Sequence, residues 1–202
     1  PNRLAIIESP YLNIYQYPQE LDYEDIRKLP DKWISVDTFG LGRNEVDNVK
    51  GKFRLPDEFV NSTDSTSKLI YFSLGTLGCF DTDLMKRLIK VFAKTKHRFI
   101  VSKGVLGGQV GLPSNMYGAN YVPQVEILSM VDLVITHGGN NTFTETFAAG
   151  RPMVVMPLFA DQYDNAQRVT ECGYGVQLNP YNASESEILN TIEQLLGDEL
   201  LR

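Results

Sequence analysis

The stretch "LVITHGGNNTFTETFAAG", residues 133–150, decides how the rest of the chain is read. It runs from an apolar, β-branched segment through a histidine and two glycines into a helix-like pattern. That pattern closes on Gly150, with Pro152 just beyond. A strand is predicted over residues 131–136, with His137 at its carboxyl end. Gly138 and Gly139 let the backbone turn tightly and come close to a ligand. A helix is predicted to begin at Asn141 or Thr142, its free N–H groups pointing back over the turn, where the helix dipole favours an anion such as a phosphate. A structural reading covers two of the same residues, because Thr142 and Glu145 have the spacing of a capping box. Local pattern alone leaves both open.

Working outward, the regular pattern begins at Lys68. "LIYFSLG" (69–75) is an apolar run ending at glycine, as expected of a buried strand. "DTDLMKRLIKVFAKTK" (81–96) places Leu84, Leu88, Val91 and Phe92 at helical spacing, with Asp81 or Thr82 as the cap. "HRFIVSKG", "MYGANYV", "PMVVMP" and "YGVQL" follow as further strands, mostly separated by helical segments. A last helix is predicted to start at a Ser184–Glu187 capping box and to stop near Gly197. Apolar strands alternating with amphipathic helices imply an α/β fold, a doubly wound, Rossmann-like parallel sheet covered on both faces. Such sheets bind ligands at the carboxyl ends of their strands. Residues 1–67 differ: they carry several prolines and tyrosines, two short strand candidates ("YLNIYQY" and "KWISVDTF") and the polar tract "NSTDSTSK". They read as an inter-domain connection with pieces of neighbouring structure, and residues 68–202 as the domain proper.

The bulk numbers narrow the function. The 202 residues are 43% hydrophobic, enough for one good core, and the net charge is -6. No basic stripe offsets that charge, so nucleic acid is not an expected partner. Anionic ligands must be held by local amides and dipoles. Two well-separated cysteines, Cys79 and Cys172, read as reduced thiols, and only His97 and His137 are available to a histidine metal site, which is not expected. No apolar run approaches the roughly 18 residues of a membrane span, and no basic-then-apolar leader opens the sequence, so a soluble protein is expected. Asn61, Asn140 and Asn182 lie in glycosylation sequons. A glycan on Asn140 would land in the candidate ligand turn, which points to a cytosolic setting.

Two further strand ends carry polar side chains. Ser73, Gly75 and Thr76 end the first strand, where hydroxyls and amides could meet a phosphate, although any strand-to-helix turn favours these residues. The stretch lacks the G-x-G-x-x-G spacing of a dinucleotide site and the G-x-S-x-G of a hydrolase elbow. Asp161 and Gln162, in "PLFADQYDNAQR", suit the vicinal hydroxyls of a sugar, and also suit the start of a helix.

Taken in order, these segments resemble the nucleotide-sugar-binding signature of the UDP-glycosyltransferases, over residues 68–196. The core of the resemblance is "YVPQVEILSMVDLVITHGGNNTFTETFAAGRPMVVMPLFADQYDNAQRV", residues 121–169. It implies the carboxyl-terminal half of a two-domain GT-B enzyme. By position it implies that Gln124 and the backbone near Val122 contact the uracil, with Tyr121 against its face. His137, Gly139, Asn141 and Thr142, helped by Thr76, would bind the diphosphate. Glu145 would accept hydrogen bonds from the ribose, and Asp161 and Gln162 would hold the donor sugar. Tyr121 departs from the family's usual tryptophan, which leaves a smaller stacking surface. Asn140 stands where plant members carry tryptophan.

The implied activity is an inverting transfer of a sugar, with glucose expected, from a UDP-sugar to a small lipophilic acceptor, as in detoxification. UDP-sugar is the co-substrate, and neither cofactor nor metal is expected. No catalytic residue is expected in this chain: the family's histidine base and its aspartate partner belong to the amino-terminal domain, as does the acceptor pocket, and His97 reads as structural. A cytoplasmic enzyme is expected, or one anchored in the endoplasmic reticulum if a signal peptide and tail exist. A stand-alone nucleotide-sugar-binding module and a GT-B epimerase acting on the UDP-sugar remain open alternatives.

Overall fold

The computed structural model describes residues 8–23, 26, 28–37, 53–60 and 66–201. The apolar runs after Lys68 form one parallel sheet of six strands: β3 (Leu69–Ser73), β4 (Arg98–Ser102), β5 (Met116–Ala119), β6 (Leu133–Thr136), β7 (Met153–Val155) and β8 (Gly175–Gln177), in the order β5-β4-β3-β6-β7-β8. Every neighbouring pair is parallel. The doubly wound reading therefore holds. Strands are one or two residues shorter at their ends than the apolar runs, as at β6, which begins at Leu133 rather than Val131.

Because side chains alternate across a strand, each strand feeds two cores. Ile70, Phe72, Phe99, Val101, Leu133, Ile135 and Val154 point to one face. There they meet a helix at Thr82–Phe92 (α3) and another at Glu185–Gly197 (α7). Leu69, Tyr71, Ile100, Val134, Met153 and Val155 point to the other face. That side is covered by Gln124–Leu128 (α4), Asn140–Ala148 (α5) and Gln162–Glu171 (α6). Two shorter helices, Asp57–Val60 (α1) and Gly75–Gly78 (α2), complete the α-helices among the described residues. Burial on both faces explains why these strands read as continuous apolar runs rather than as alternating ones.

The caps follow the sequence closely. Asp81 accepts from the Leu84 amide at the start of α3, and Ser184 with Glu187 forms the full capping box of α7. His97 is buried with both ring nitrogens engaged: Nδ1 accepts from the Lys68 amide and Nε2 lies 2.9 Å from Glu193 Oε1. It is a structural residue.

The early segment carries a two-stranded parallel ribbon, β1 (Asn13–Gln16) with β2 (Trp33–Val36). It is fastened to the sheet domain beside α5 and α6. Tyr17 stacks on Phe143 with centroids 5.9 Å apart, Leu21 is fully buried in the second core, and Arg168 donates to the carbonyls of Leu21 and Asp22. Arg168 also lies 4.4 Å over the Tyr23 ring. Of the glycosylation sequons, Asn61 lies outside the described residues, Asn182 is exposed, and the Asn140 amide donates to the Gln16 carbonyl.

Phe92 tests the first core. It is fully buried between Phe72 and Phe99, each 5.1 Å away by ring centroid. Phe92→Ala is expected to cost about 3–5 kcal/mol of unfolding free energy in a denaturant titration. A loss below about 1 kcal/mol would mean that α3 does not seal this face as described.

Candidate functional site

The strand order places the site. From β3 the chain steps outward through β4 to β5, then returns to place β6 on the other side of β3. The carboxyl ends of β3 and β6 are thus the point where the winding reverses, and a crevice opens there in doubly wound sheets. In register, Ser73 lies opposite Thr136 and Thr136 opposite Val155. The three polar turns singled out in the sequence therefore leave the sheet side by side.

His137 sits where two of those turns meet. A Cβ added at Gly75 would lie 2.5 Å from His137 Nε2, and one added at Gly139 would overlap the same ring. The imidazole is packed between two glycines because only a residue without a side chain leaves room for it. Gly75 and Gly138 also adopt positive φ, +69° and +83°, which favours glycine independently of space. The Gly138 turn is held by its own amide donating to Thr136 Oγ1 and by Asn165 Nδ2 donating 2.8 Å to its carbonyl. Asn165, buried inside α6, was not singled out in the sequence. Its signal was a weak helix former in the middle of a helix.

The helix beyond the turn starts earlier than its sequence suggested. Asn140 is its first residue and Gly139 its N-cap, and no side chain caps it. Thr142 is then the third helical residue and Glu145 the sixth, so the alternative reading of a Thr142–Glu145 capping box does not hold. Gly139 takes the cap position because its extended backbone (φ -62°, ψ 140°) follows directly from the tight turn at Gly138. The first N–H groups of α5 are left without intrahelical partners, next to the half-buried His137 imidazole.

Released from capping, Thr142 and Glu145 turn to α4. Thr142 Oγ1 donates to Gln124 Oε1 (3.3 Å), Tyr71 OH donates to the same oxygen (3.0 Å), and Gln124 Nε2 donates to Glu145 Oε2 (2.7 Å). Both lone pairs of the Gln124 carbonyl are used, and one Nε2 hydrogen is left over. Tyr71 is almost fully buried, and burial pushes its phenol up to about 12, against hydrogen bonds from Ser73 and Ser102 that favour ionisation. At neutral pH it stays a donor.

The remaining predicted residues divide. Thr76 and Asn141 are exposed beside the crevice, on α2 and on the first turn of α5. Tyr121 is 73% exposed on the segment after β5, with its ring open to a planar ligand, while Val122 packs partly into the second core. Asp161 is exposed and close enough to act electrostatically on His137. Gln162, in contrast, is buried and its Oε1 accepts from the amides of Leu158 and Phe159. Its carbonyl end braces the loop, a role sequence spacing could not reveal. Ala160 in that loop has φ +54°, a strained backbone held by this bracing.

The sequence contains one D-x-D spacing, Asp81-Thr82-Asp83, of a kind that can serve a metal-bound diphosphate. Asp81 instead caps α3 through one oxygen and accepts from Tyr181 OH through the other. Among the described residues, no three His, Cys, Asp or Glu side chains group to hold a metal ion. No helix described is long and apolar enough to cross a membrane.

A family model described as "UDP-glucoronosyl and UDP-glucosyl transferase" matches residues 45–202. The chain belongs to this family. It is 32% identical to the NDP-glycosyltransferase YjiC of Bacillus licheniformis over 139 residues, covering 67% of the chain and 35% of that protein. It is 29% identical to a sterol 3-beta-glucosyltransferase of Eremothecium gossypii over 177 residues, 83% of the chain and 14% of that protein. Among solved structures, the glycotransferase of kitacinnamycin superposes with a TM-score of 0.76 at 23% identity, over 95% of this chain and 48% of that one. The chain thus spans about half or less of the length of the relatives it matches, and its six-stranded parallel sheet is that of GT-B glycosyltransferases.

His137 gives the site a pH signature. Burial holds its imidazole below the ordinary value, with the Asp161 carboxylate and a Ser73 backbone hydrogen bond acting in the opposite direction. A histidine whose folded pKa lies below the unfolded value of about 6.5 supports folding above that pH and loses the contribution as pH falls through it. Ligand-free wild type is therefore expected to lose more melting temperature than His137→Gln between about pH 7.5 and about pH 5.5. Equal losses would show that the ring is not held neutral.

Proposed function

We propose that residues 68–202 form the donor-binding domain of an inverting glycosyltransferase that takes a UDP-sugar. The observation that carries this reading is the switch-point turn, where the uncapped start of α5 lies beside the half-buried His137 ring at the carboxyl ends of β3 and β6. A helix N-terminus beside a neutral imidazole suits a diphosphate without needing a net positive field, which this acidic chain lacks. Glu145 stands in the second turn of the same helix, where a ribose attached to that diphosphate would bring its hydroxyls. Tyr121 offers a flat face for the base and Asp161 an exposed acceptor for the sugar.

In the reaction, the acceptor oxygen bonds to the anomeric carbon as the bond from that carbon to the β-phosphate oxygen breaks. UDP departs with the electron pair, stabilised by the α5 amides and His137, and the acceptor proton passes to a general base. That base is assigned outside this chain, since His97 is committed to Lys68 and Glu193 and His137 lies in the donor crevice. The acceptor, taken as small and lipophilic, is assigned there too. The chain alone is accordingly expected to bind donor without transferring sugar. Sustained glycoside formation by the purified chain would overturn that assignment.

Calorimetry decides the donor reading. UDP and UDP-glucose are expected to bind in the presence of a chelator, and Glu145→Gln is expected to weaken UDP by roughly tenfold or more, through the loss of charge-assisted hydrogen bonds to the ribose. Its melting temperature should change little. Binding that appears only after adding magnesium or manganese would refute the metal-free diphosphate site, and unchanged affinity in Glu145→Gln would remove Glu145 from it.

A further inference from the structure

Tyr71 lies in the middle of β3, nearly fully buried, and would pass for a core aromatic. Its hydroxyl nonetheless donates outside the strand, to Gln124 Oε1 at 3.0 Å, while Ser73 and Ser102 hydrogen-bond to the same oxygen. The Gln124 amide could in principle be turned either way. A carboxylate oxygen only accepts, so the 2.7 Å contact to Glu145 Oε2 must come from Nε2. Oε1 is then turned toward the two hydroxyl donors, Tyr71 and Thr142. Tyr71 is the more firmly fixed of the two, its ring packed in the second core. Thr142 belongs to the same helix as Glu145, so it cannot hold that helix's side chain relative to the sheet. The sheet-to-α4-to-α5 link runs through the tyrosine hydroxyl.

We infer that Tyr71 is a positioning residue for nucleotide selectivity: through Gln124 it fixes the Glu145 carboxylate and so makes the site prefer a ribonucleoside diphosphate over its 2′-deoxy counterpart. The inference rests on the donor-site reading above. Oε2 of Glu145 is spent on Gln124, which leaves Oε1 as the oxygen presented to the ligand in one orientation. Without the tyrosine hydroxyl, the amide of Gln124 loses one of the two donors that fix its direction. The carboxylate then samples rotamers, and what is lost is the extra affinity due to the 2′-hydroxyl rather than binding as such.

The test compares UDP with 2′-deoxy-UDP by calorimetry on the wild-type chain and on Tyr71→Phe, which keeps the ring and removes the hydroxyl. The wild type is expected to prefer UDP, and Tyr71→Phe to lower UDP affinity by about threefold to tenfold while leaving 2′-deoxy-UDP nearly unchanged. In the Glu145→Gln background the same substitution should no longer alter the ratio. A purely structural tyrosine would weaken both nucleotides alike, and that result overturns the inference, as would an unaltered ratio in a folded Tyr71→Phe. If Tyr71→Phe fails to fold, Gln124→Met cuts the same link at the domain surface and must shrink the UDP to 2′-deoxy-UDP ratio in the same way. A wild-type chain that binds neither nucleotide refutes the donor-site reading itself, and the selectivity inference falls with it.

Discussion

When β3 and β6 pair in parallel, with Ser73 opposite Thr136, two turns far apart in sequence must leave the sheet at the same edge. Everything in the candidate site hangs on that pairing. It brings Gly75 against the His137 ring from one side while Gly139 closes on it from the other. It also makes the β3–β6 boundary the reversal point of the winding, the place where doubly wound sheets bind ligands. A side chain at Gly75 would push the ring away, so the local chemistry and the global topology are specified by the same small residues.

The electrostatics follow from this geometry rather than from charge count. A chain with net charge -6 has no field to attract an anion. What it has is a helix whose first amides are uncapped and a histidine that burial keeps neutral. The helix amides are dipolar donors, oriented by the fold and needing no reorganisation when a charge arrives. The carboxylates nearby are separated from that spot by function: Glu145 is drawn toward α4 by Gln124, and Asp161 stands exposed on the next loop.

The early ribbon bears on the same helix. Tyr17 stacks on Phe143, the Asn140 amide donates to the Gln16 carbonyl, and Gln16 Nε2 donates to Thr144. The helix that offers its N-terminus to the crevice is thereby clamped along its outer side, and Arg168 fastens the next helix to the same segment. The orientation of α5 is over-determined by contacts on the sheet side and the ribbon side, as a preorganised anion site requires.

The sequence by itself determined the sheet, because strands buried on both faces must be apolar throughout and helices between them must be amphipathic. It also determined the caps at Asp81 and Ser184, whose hydrogen bonds span three residues, and the turn at His137, where glycine has no substitute. Tertiary structure decided what depends on atoms distant in sequence. The start of α5 was misplaced by one or two residues because the extended conformation at Gly139 is set by the Gly138 turn, itself held by Asn165 from another helix. Thr142 and Glu145 matched a capping box by spacing, yet their partner is Gln124 on α4. Gln162 has the spacing of a sugar ligand, and the fold adds a second use for it, its carbonyl bracing a strained loop. Tyr71 looked like core, and only the fold puts its hydroxyl on Gln124. A hydrogen bond within one turn of a helix leaves its mark in residue spacing, whereas one between elements leaves none until packing brings the elements together.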